Sequence, residues 1–222
     1  MGPVRVRVVG MDLDRPDAAA GGLSGETLSP EERSGGPRVR VAREIARAVL
    51  GEMLGVAPGA VPIVRECEHC GDPRHGRPRV AGGGVAFSLS HSGPVGILAV
   101  APDGDVRLGV DVEVVRPRPH LGRLAERVLD PGTLARFVAA PETERLGMFL
   151  RAWTAKEAYL KATGVGIATA LRAVPAAPAG WTVRALDAPP GAVAALAVDR
   201  AEVKIEYVTW AARFSASGGT AR

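Results

Sequence analysis

The chain has 222 residues, 46% of them hydrophobic and 23% charged, with 28 Gly, 18 Pro and two cysteines. That length supports one large domain or two small ones around a sizeable core, and two cysteines are too few for a disulfide-framework fold. The net charge of +4 favours anionic partners, but the basic residues are scattered without a Lys/Arg run, which argues against a nucleic-acid-binding arm. No apolar leader follows Met1 and no window of about 18 apolar residues is present, so the expectation is a cytoplasmic protein without a membrane partner.

In chain order, "PVRVRVV" (3–9) alternates apolar and basic residues with the period of a half-buried strand. Residues 14–37 read as loop. Within them "LSPEER" carries a helix-start signal, with Ser29 as cap and Glu32 three residues on, cut short by "SGGP". Val41, Ile45, Ala48 and Val49 then follow helical spacing from Val39 to Leu54, closed by Gly55. Residues 65–83 read as irregular.

Two strands follow, "VAFSLSH" (85–91) and "VGILAVA" (95–101), joined at Ser92-Gly93-Pro94, and a third is "VRLGVDVEVV" (106–115). Residues 120–130 and 131–139 read as short helices, and a longer helix runs from about Glu142 to Thr163, ended by "GVG". "WTVRALD", "AVAALAVD" and "KIEYVTWAA" read as a three-stranded antiparallel meander. The fold class is α+β, with two subdomains, 1–102 and 103–222, meeting near residues 101–105.

Three segments carry chemistry. In "GVDVE" (109–113), Asp111 and Glu113 are i and i+2 on a strand and share a face. Paired carboxylates repel unless a cation sits between them, and Mg²⁺ accepts such a pair together with waters and phosphates. An isolated Asp-x-Glu also serves as a solvent-facing strand end. In "WTAKEAYLK" (153–161), Glu157 and Lys161 are one helical turn apart, with Trp153 on the same stripe. The pair also reads as a surface ion pair worth about 0.3–0.5 kcal/mol. This segment nevertheless holds two of only three lysines in an arginine-rich chain, Lys156 and Lys161, the third being Lys204. Glu157 would supply a third acid beside Asp111 and Glu113, with Lys161 aimed at the anion. In "FSLSHSG" (87–93), Ser90, His91 and the turn's N–H groups suit a phosphate. A separate constellation, Cys67, His69, Cys70 and His75 in "CEHCGDPRH", is half of a zinc site or a loop with incidental thiols.

Together and in this order, "GRP" (76–78), "SLSHS" (88–92), "GVDVE" and "WTAKEAYLK" resemble the signatures of 4′-phosphopantetheinyl transferases of the larger, monomeric Sfp type. The resemblance covers roughly residues 26–170. It implies a pseudo-dimer of two α+β halves with coenzyme A between them. It implies Asp111, Glu113 and Glu157 as ligands of Mg²⁺, with Mn²⁺ as a substitute. Lys161 resembles the lysine that holds the coenzyme A pyrophosphate, and Lys156 the motif lysine preceding the metal glutamate. Ser90 and His91 look like the 3′-phosphate contact, and Gly76, Arg77 and Pro78 like the segment against the adenine nucleotide. Arg38, Arg40 and Arg43 are further candidates for phosphate contacts, in a stretch shorter than in the family.

The implied reaction moves the 4′-phosphopantetheine arm from coenzyme A to a serine of an apo acyl or peptidyl carrier protein and releases 3′,5′-ADP, with Glu157 and Lys161 as the catalytic pair. Two other readings stay open from the residues: a coenzyme A or carrier-binding protein without catalysis, and a Mg²⁺-dependent phosphohydrolase.

Overall fold

The computed structural model describes residues 2–14, 27–66, 76–165, 171–175 and 178–209. It is an α+β chain. In order, β1 (Val4–Asp12), α1 (Pro37–Leu54), β2 (Ile63–Glu66), β3 (Arg77–Val80), β4 (Ala86–Ser92), β5 (Val95–Ala101), β6 (Leu108–Val114), α2 (Leu121–Val128), α3 (Pro131–Ala139), α4 (Glu142–Thr163), β7 (Thr182–Leu186), β8 (Ala192–Val198) and β9 (Val203–Thr209) follow one another. The thiols and histidines of the half zinc site, Cys67 to His75, lie outside the described residues.

The first sheet has the order β4-β5-β1-β9 and the second β6-β8-β7. α1 covers one face of the first sheet, where Ile45, Val49 and Leu50 meet Val9, Met11, Phe87, Leu98 and Val100. The other face of that sheet, through Val6, Val8, Ile97 and Ala99, packs on Leu108, Val110, Val112, Leu196 and Val198 of the second. The far side of the second sheet carries α4, where Ala158 and Ala162 lie on Ala195 and Ala197. The alternation of faces along β6 therefore sends Leu108, Val110 and Val112 to one core and leaves Gly109, Asp111 and Glu113 on the side of the helix.

α4 spans the length expected for it, with Glu142 and Glu144 in its first turn and Lys161 in its last, and Gly164 closing it at φ 73°. The turn between β4 and β5 is Gly93-Pro94, with Gly93 at φ 55° and Ser92 already paired with Val95.

Three expectations are corrected. The meander does not form: β7 and β8 are an antiparallel pair, but β9 leaves them and pairs parallel with β1, Val4 opposite Val203. Residues 203–209, assigned to the second half by chain order, are thus built into the first half's sheet. Alternating Val203 and Ile205 specify a strand with one apolar face but not its partner. Secondly, the stretch 65–83 read as irregular takes part in a ribbon, β2 against β3, that begins at Ile63 and sets Arg65 opposite Pro78. Pro78 argues against a strand in the sequence and is tolerated here because the ribbon has only two strands. Thirdly, "LSPEER" forms both capping-box bonds, Ser29 N–H to Glu32 (3.0 Å) and Glu32 N–H to Ser29 Oγ (3.3 Å), yet it is a turn. Glu32 instead pairs with Arg47 of α1 at 2.8 Å, and Arg47 also donates to the carbonyls of Pro58 and Val61.

Candidate active site

The site forms where β4, β6 and α4 meet, and one glycine allows the meeting. A Cβ on Gly109 would stand 2.0 Å from the carbonyl oxygen of Ala158 and 2.6 Å from the amide nitrogen of Ala162. Only a residue without a side chain lets the backbone of α4 lie this close to β6. Ala195 and Ala197 on the neighbouring strand keep the same seat shallow. The first residue of "GVDVE" is thus what brings Glu157 and Lys161, one turn apart on α4, up to Asp111.

β4 docks along β6 through the serines of "SLSHS". Val110 N–H donates to Ser88 Oγ (3.1 Å) and Val114 N–H to Ser92 Oγ (3.2 Å). Ser90 Oγ donates to Asp111 Oδ1 (2.8 Å), and Ser92 Oγ to Glu113 Oε2 (3.0 Å). Three serines spaced by two share one face of a strand, so their common direction was open to reading in the sequence but the strand they meet was not; only Ser90 was singled out there.

Lys161 Nζ donates to Asp111 Oδ1 at 2.6 Å and to Ser90 Oγ at 2.9 Å. It therefore pairs with the acid of β6 rather than with Glu157 of its own helix. Burial pushes the Asp111 carboxyl above the ordinary range, against the pull of Lys161 and Ser90. Glu157 is raised as well, first by burial and then by the negative charges of Asp111 and Glu113, with Lys161 acting in the opposite sense. Glu113 is held differently: Arg118 Nη2 lies 2.7 Å from its Oε2.

Two of the three acids are each engaged by their own cation, Asp111 by Lys161 and Glu113 by Arg118. Among the described residues no three His, Cys, Asp or Glu side chains gather into a metal-holding group. Three carboxylates converge only with a compensating charge, and here Lys161 and Arg118 supply it separately to Asp111 and Glu113. Even so, Asp111 Oδ2 and Glu157 Oε1 are both buried without a hydrogen-bond partner. Two unsatisfied carboxylate oxygens from neighbouring elements fit a hard divalent cation that takes one or two carboxylates and completes its shell with water and phosphate oxygens.

Ser90 and His91, adjacent on β4, point to opposite faces, as neighbours on a strand do. Ser90 is buried against the acids, whereas His91 is exposed beyond Phe87 and Leu89, on the α1 side. Partial desolvation of the ring where it lies against the protein, then the charges of Lys161 and Arg43, lower the His91 pKa below its usual value. Arg43 is lowered too, by burial and by Arg65, while Glu32 offsets part of this. The charges of Lys161 and Arg43 thus bear on His91, and that of Arg65 bears on Arg43. Arg65 was not singled out from the sequence. Arg43 Nη1 donates to the carbonyls of Glu32 and Ser34. Arg38, by contrast, pairs with Asp14 at 2.6 Å and Arg40 makes a long bond to the Gly35 carbonyl.

Lys156 stands apart from the acids. Its ammonium is buried and donates to the carbonyls of Leu171 (2.9 Å) and Val174 (2.8 Å), so it holds the segment after α4. Gly76 has φ 113°, and its carbonyl accepts from Arg65 Nη1 (3.3 Å). Arg77 Nη1 reaches the carbonyl of Ala162 (3.2 Å) at the end of α4. Arg77 and Pro78 border a recess of about 150 Å³, shared with Val85, Phe87 and Gly104, that none of the acids lines.

The sequence profile described as the 4′-phosphopantetheinyl transferase superfamily matches residues 107–201, which contain both acidic motifs and α4. The chain is 38% identical over 167 residues to 4′-phosphopantetheinyl transferase HetI of Nostoc sp., covering 70% of this chain and 67% of that protein. It is 30% identical over 152 residues to 4′-phosphopantetheinyl transferase psf-1 of Bacillus pumilus, covering 65% and 61%. It is also 42% identical over 78 residues to 4′-phosphopantetheinyl transferase AcpT of Escherichia coli, covering 35% and 39%. The chain spans about two thirds of HetI and a smaller share of the other two. A glycine-seated helix that brings a glutamate and a lysine to paired acids, within a match of this extent to HetI, makes the chain a member of the 4′-phosphopantetheinyl transferase superfamily.

Proposed function

We propose that this enzyme transfers the 4′-phosphopantetheine arm of coenzyme A to a serine of an apo acyl or peptidyl carrier protein, with Mg²⁺ or Mn²⁺ as metal and 3′,5′-ADP as the leaving product. The observation that carries this reading is the pair of unpartnered buried oxygens, Asp111 Oδ2 and Glu157 Oε1, beside the Lys161–Asp111–Ser90 cluster.

In this reading the carrier's serine oxygen attacks the β-phosphorus of coenzyme A, and the bond from that phosphorus to the bridging oxygen breaks. Glu157, whose pKa is raised chiefly by burial and so makes it a better proton acceptor than a free carboxylate, accepts the serine proton. Lys161 offsets charge on the phosphate oxygens; its compact ammonium already fits between two oxygens on different side chains, Ser90 Oγ and Asp111 Oδ1, where a planar guanidinium is bulkier. Asp111, Glu113 and Glu157 would hold the metal. When bound, it supplies Lewis-acid stabilisation of the same developing charge.

His91 and Arg43, whose charged forms are disfavoured by the basic groups beside them, suit the remaining phosphates, since an anion there relieves that repulsion. The recess beside Arg77 and Pro78 is the candidate for the adenine end. The protein acts as a cytoplasmic monomer whose two halves form a pseudo-dimer around coenzyme A. Its net charge of +4 agrees with acidic carrier partners.

The test is the intact mass of several apo carrier proteins after incubation with the enzyme, coenzyme A and Mg²⁺. A gain of one phosphopantetheine arm, abolished by EDTA and by Glu157→Ala, is expected. No gain on fatty-acid, polyketide or peptide carriers by protein that still binds coenzyme A would replace transfer with binding alone.

A further inference from the structure

The acids at the site do not share one fate. Asp111 is paired with Lys161, a residue the reaction uses, but Glu113 is paired with Arg118, which has no assigned part. Arg118 Nη2 lies 2.7 Å from Glu113 Oε2, the same oxygen to which Ser92 donates at 3.0 Å. With two donors on Oε2, a cation that takes this oxygen must displace one of them. Ser92 is anchored by Val114 N–H and is neutral. Arg118 carries the charge that a metal would replace.

The local sequence delivers that charge in advance. Arg118 lies between Pro117 and Pro119. Proline fixes its own φ and confines the preceding residue to extended backbone, so little backbone freedom is lost when the guanidinium meets Glu113. The pair is also mostly covered, with side-chain exposures of 22% and 20%. Two residues earlier, Arg116 carries the same charge but is exposed.

We infer that Arg118 is a resident counterion of Glu113, displaced when the metal binds, and that it sets the metal affinity of the free enzyme. It keeps Glu113 ordered and its charge offset beside Asp111 and Glu157, and it opposes the incoming cation. This inference rests on the reading of Asp111, Glu113 and Glu157 as the metal site. Arg118 is a positioning residue, acting through Glu113.

The experiment is Mn²⁺ binding to the full chain without coenzyme A, followed by loss of the free-ion electron paramagnetic resonance signal. Arg118→Ala is expected to tighten Mn²⁺ binding about two- to fivefold, the range for losing the coupling of one partly exposed ion pair. Arg116→Ala, which removes the same charge from an exposed position, leaves the affinity close to wild type. In a Glu113→Gln background the effect of Arg118→Ala disappears, because the competition runs through that carboxylate. Arg118→Gln gives the same answer should the alanine variant fold poorly. Equal tightening by Arg116→Ala, or an undiminished effect in Glu113→Gln, would show a general field effect and overturn the inference, while Mn²⁺ binding that Asp111→Asn abolishes would leave the metal site standing. No Mn²⁺ binding by wild type or Arg118→Ala, in protein that binds coenzyme A, would overturn the inference and the metal site together.

Discussion

Adding a single methyl group at Gly109 tests the seat on which the site depends. In Gly109→Ala the new Cβ would sit 2.0 Å from Ala158 O and 2.6 Å from Ala162 N, where ordinary contact begins near 3.4 Å. Both neighbours are backbone atoms of α4, so no side chain can swing aside. The helix must retreat from β6 by about 1 Å or more, and Glu157 and Lys161 travel with it. A misplacement of about 1 Å at a reacting centre costs about 10²-fold in rate. The forced repacking also costs about 1–3 kcal/mol of stability, and each kcal/mol lowers Tm by about 2–4 °C in a chain of this size. The assay is the initial rate of carrier modification, read by intact mass, beside thermal melts of the same samples. Gly10→Ala is the control, since a Cβ at Gly10 meets nothing within 4 Å. A Gly109→Ala enzyme with the rate and Tm of wild type would refute the argument that close approach of α4 to β6 builds the site.

Lys156→Met is expected to destabilise the fold by about 1–3 kcal/mol, because the carbonyls of Leu171 and Val174 lose their buried donor; an unchanged urea midpoint would count against this anchoring role. Asp130 caps α3 by accepting from Thr133 N–H, which holds its carboxyl below the usual range. Asp130→Ala should cost about 1 kcal/mol. That contribution is present above the unfolded-state pKa and fades as pH falls through the lower folded value, so wild-type and variant melts converge in acid; a gap that persisted there would contradict it.

His91 begins with a lowered pKa, and a bound phosphate would raise it. Coenzyme A binding therefore takes up a proton and weakens as pH rises through the bound-state value. Calorimetric titrations between about pH 5 and 8 should show this slope in wild type and a flatter one in His91→Ala, and identical slopes would remove His91 from the phosphate site. Lys161→Arg is expected to lower the transfer rate sharply despite the retained charge, since the guanidinium is bulkier where Ser90 and Asp111 converge; near wild-type activity would sink that reading.

Much of the layout was legible in the sequence because it is written in short-range patterns. Helical periodicity and a terminal glycine bound α4, alternation marked β1, the turn at Ser92-Gly93-Pro94 between two apolar runs marked β4 and β5, and i, i+2 spacing put Asp111 and Glu113 on one face of β6. The partner of β9 was not legible, since an amphipathic strand pairs equally well by pattern with β8 or β1. Nor was the ribbon of β2 and β3, because Pro78 masks it. At the site, sequence spacing suggested Glu157 with Lys161, but the strongest contact made by Lys161 is to Asp111, fifty positions away.

The sequence by itself determined most of the elements, the shared face of the paired acids, the helix that carries Glu157 and Lys161, and the lysines retained in an arginine-rich chain, because these depend on local period and residue chemistry. Only the tertiary structure decided that Gly109 seats α4, that three serines bind β4 to β6, that Lys156 anchors a loop, and that Arg118 holds Glu113. Those outcomes depend on which surfaces meet and which charges are left to compensate one another once water is excluded. No local pattern encodes that choice, because it is settled by close packing and by the cost of leaving a buried carboxylate without a partner.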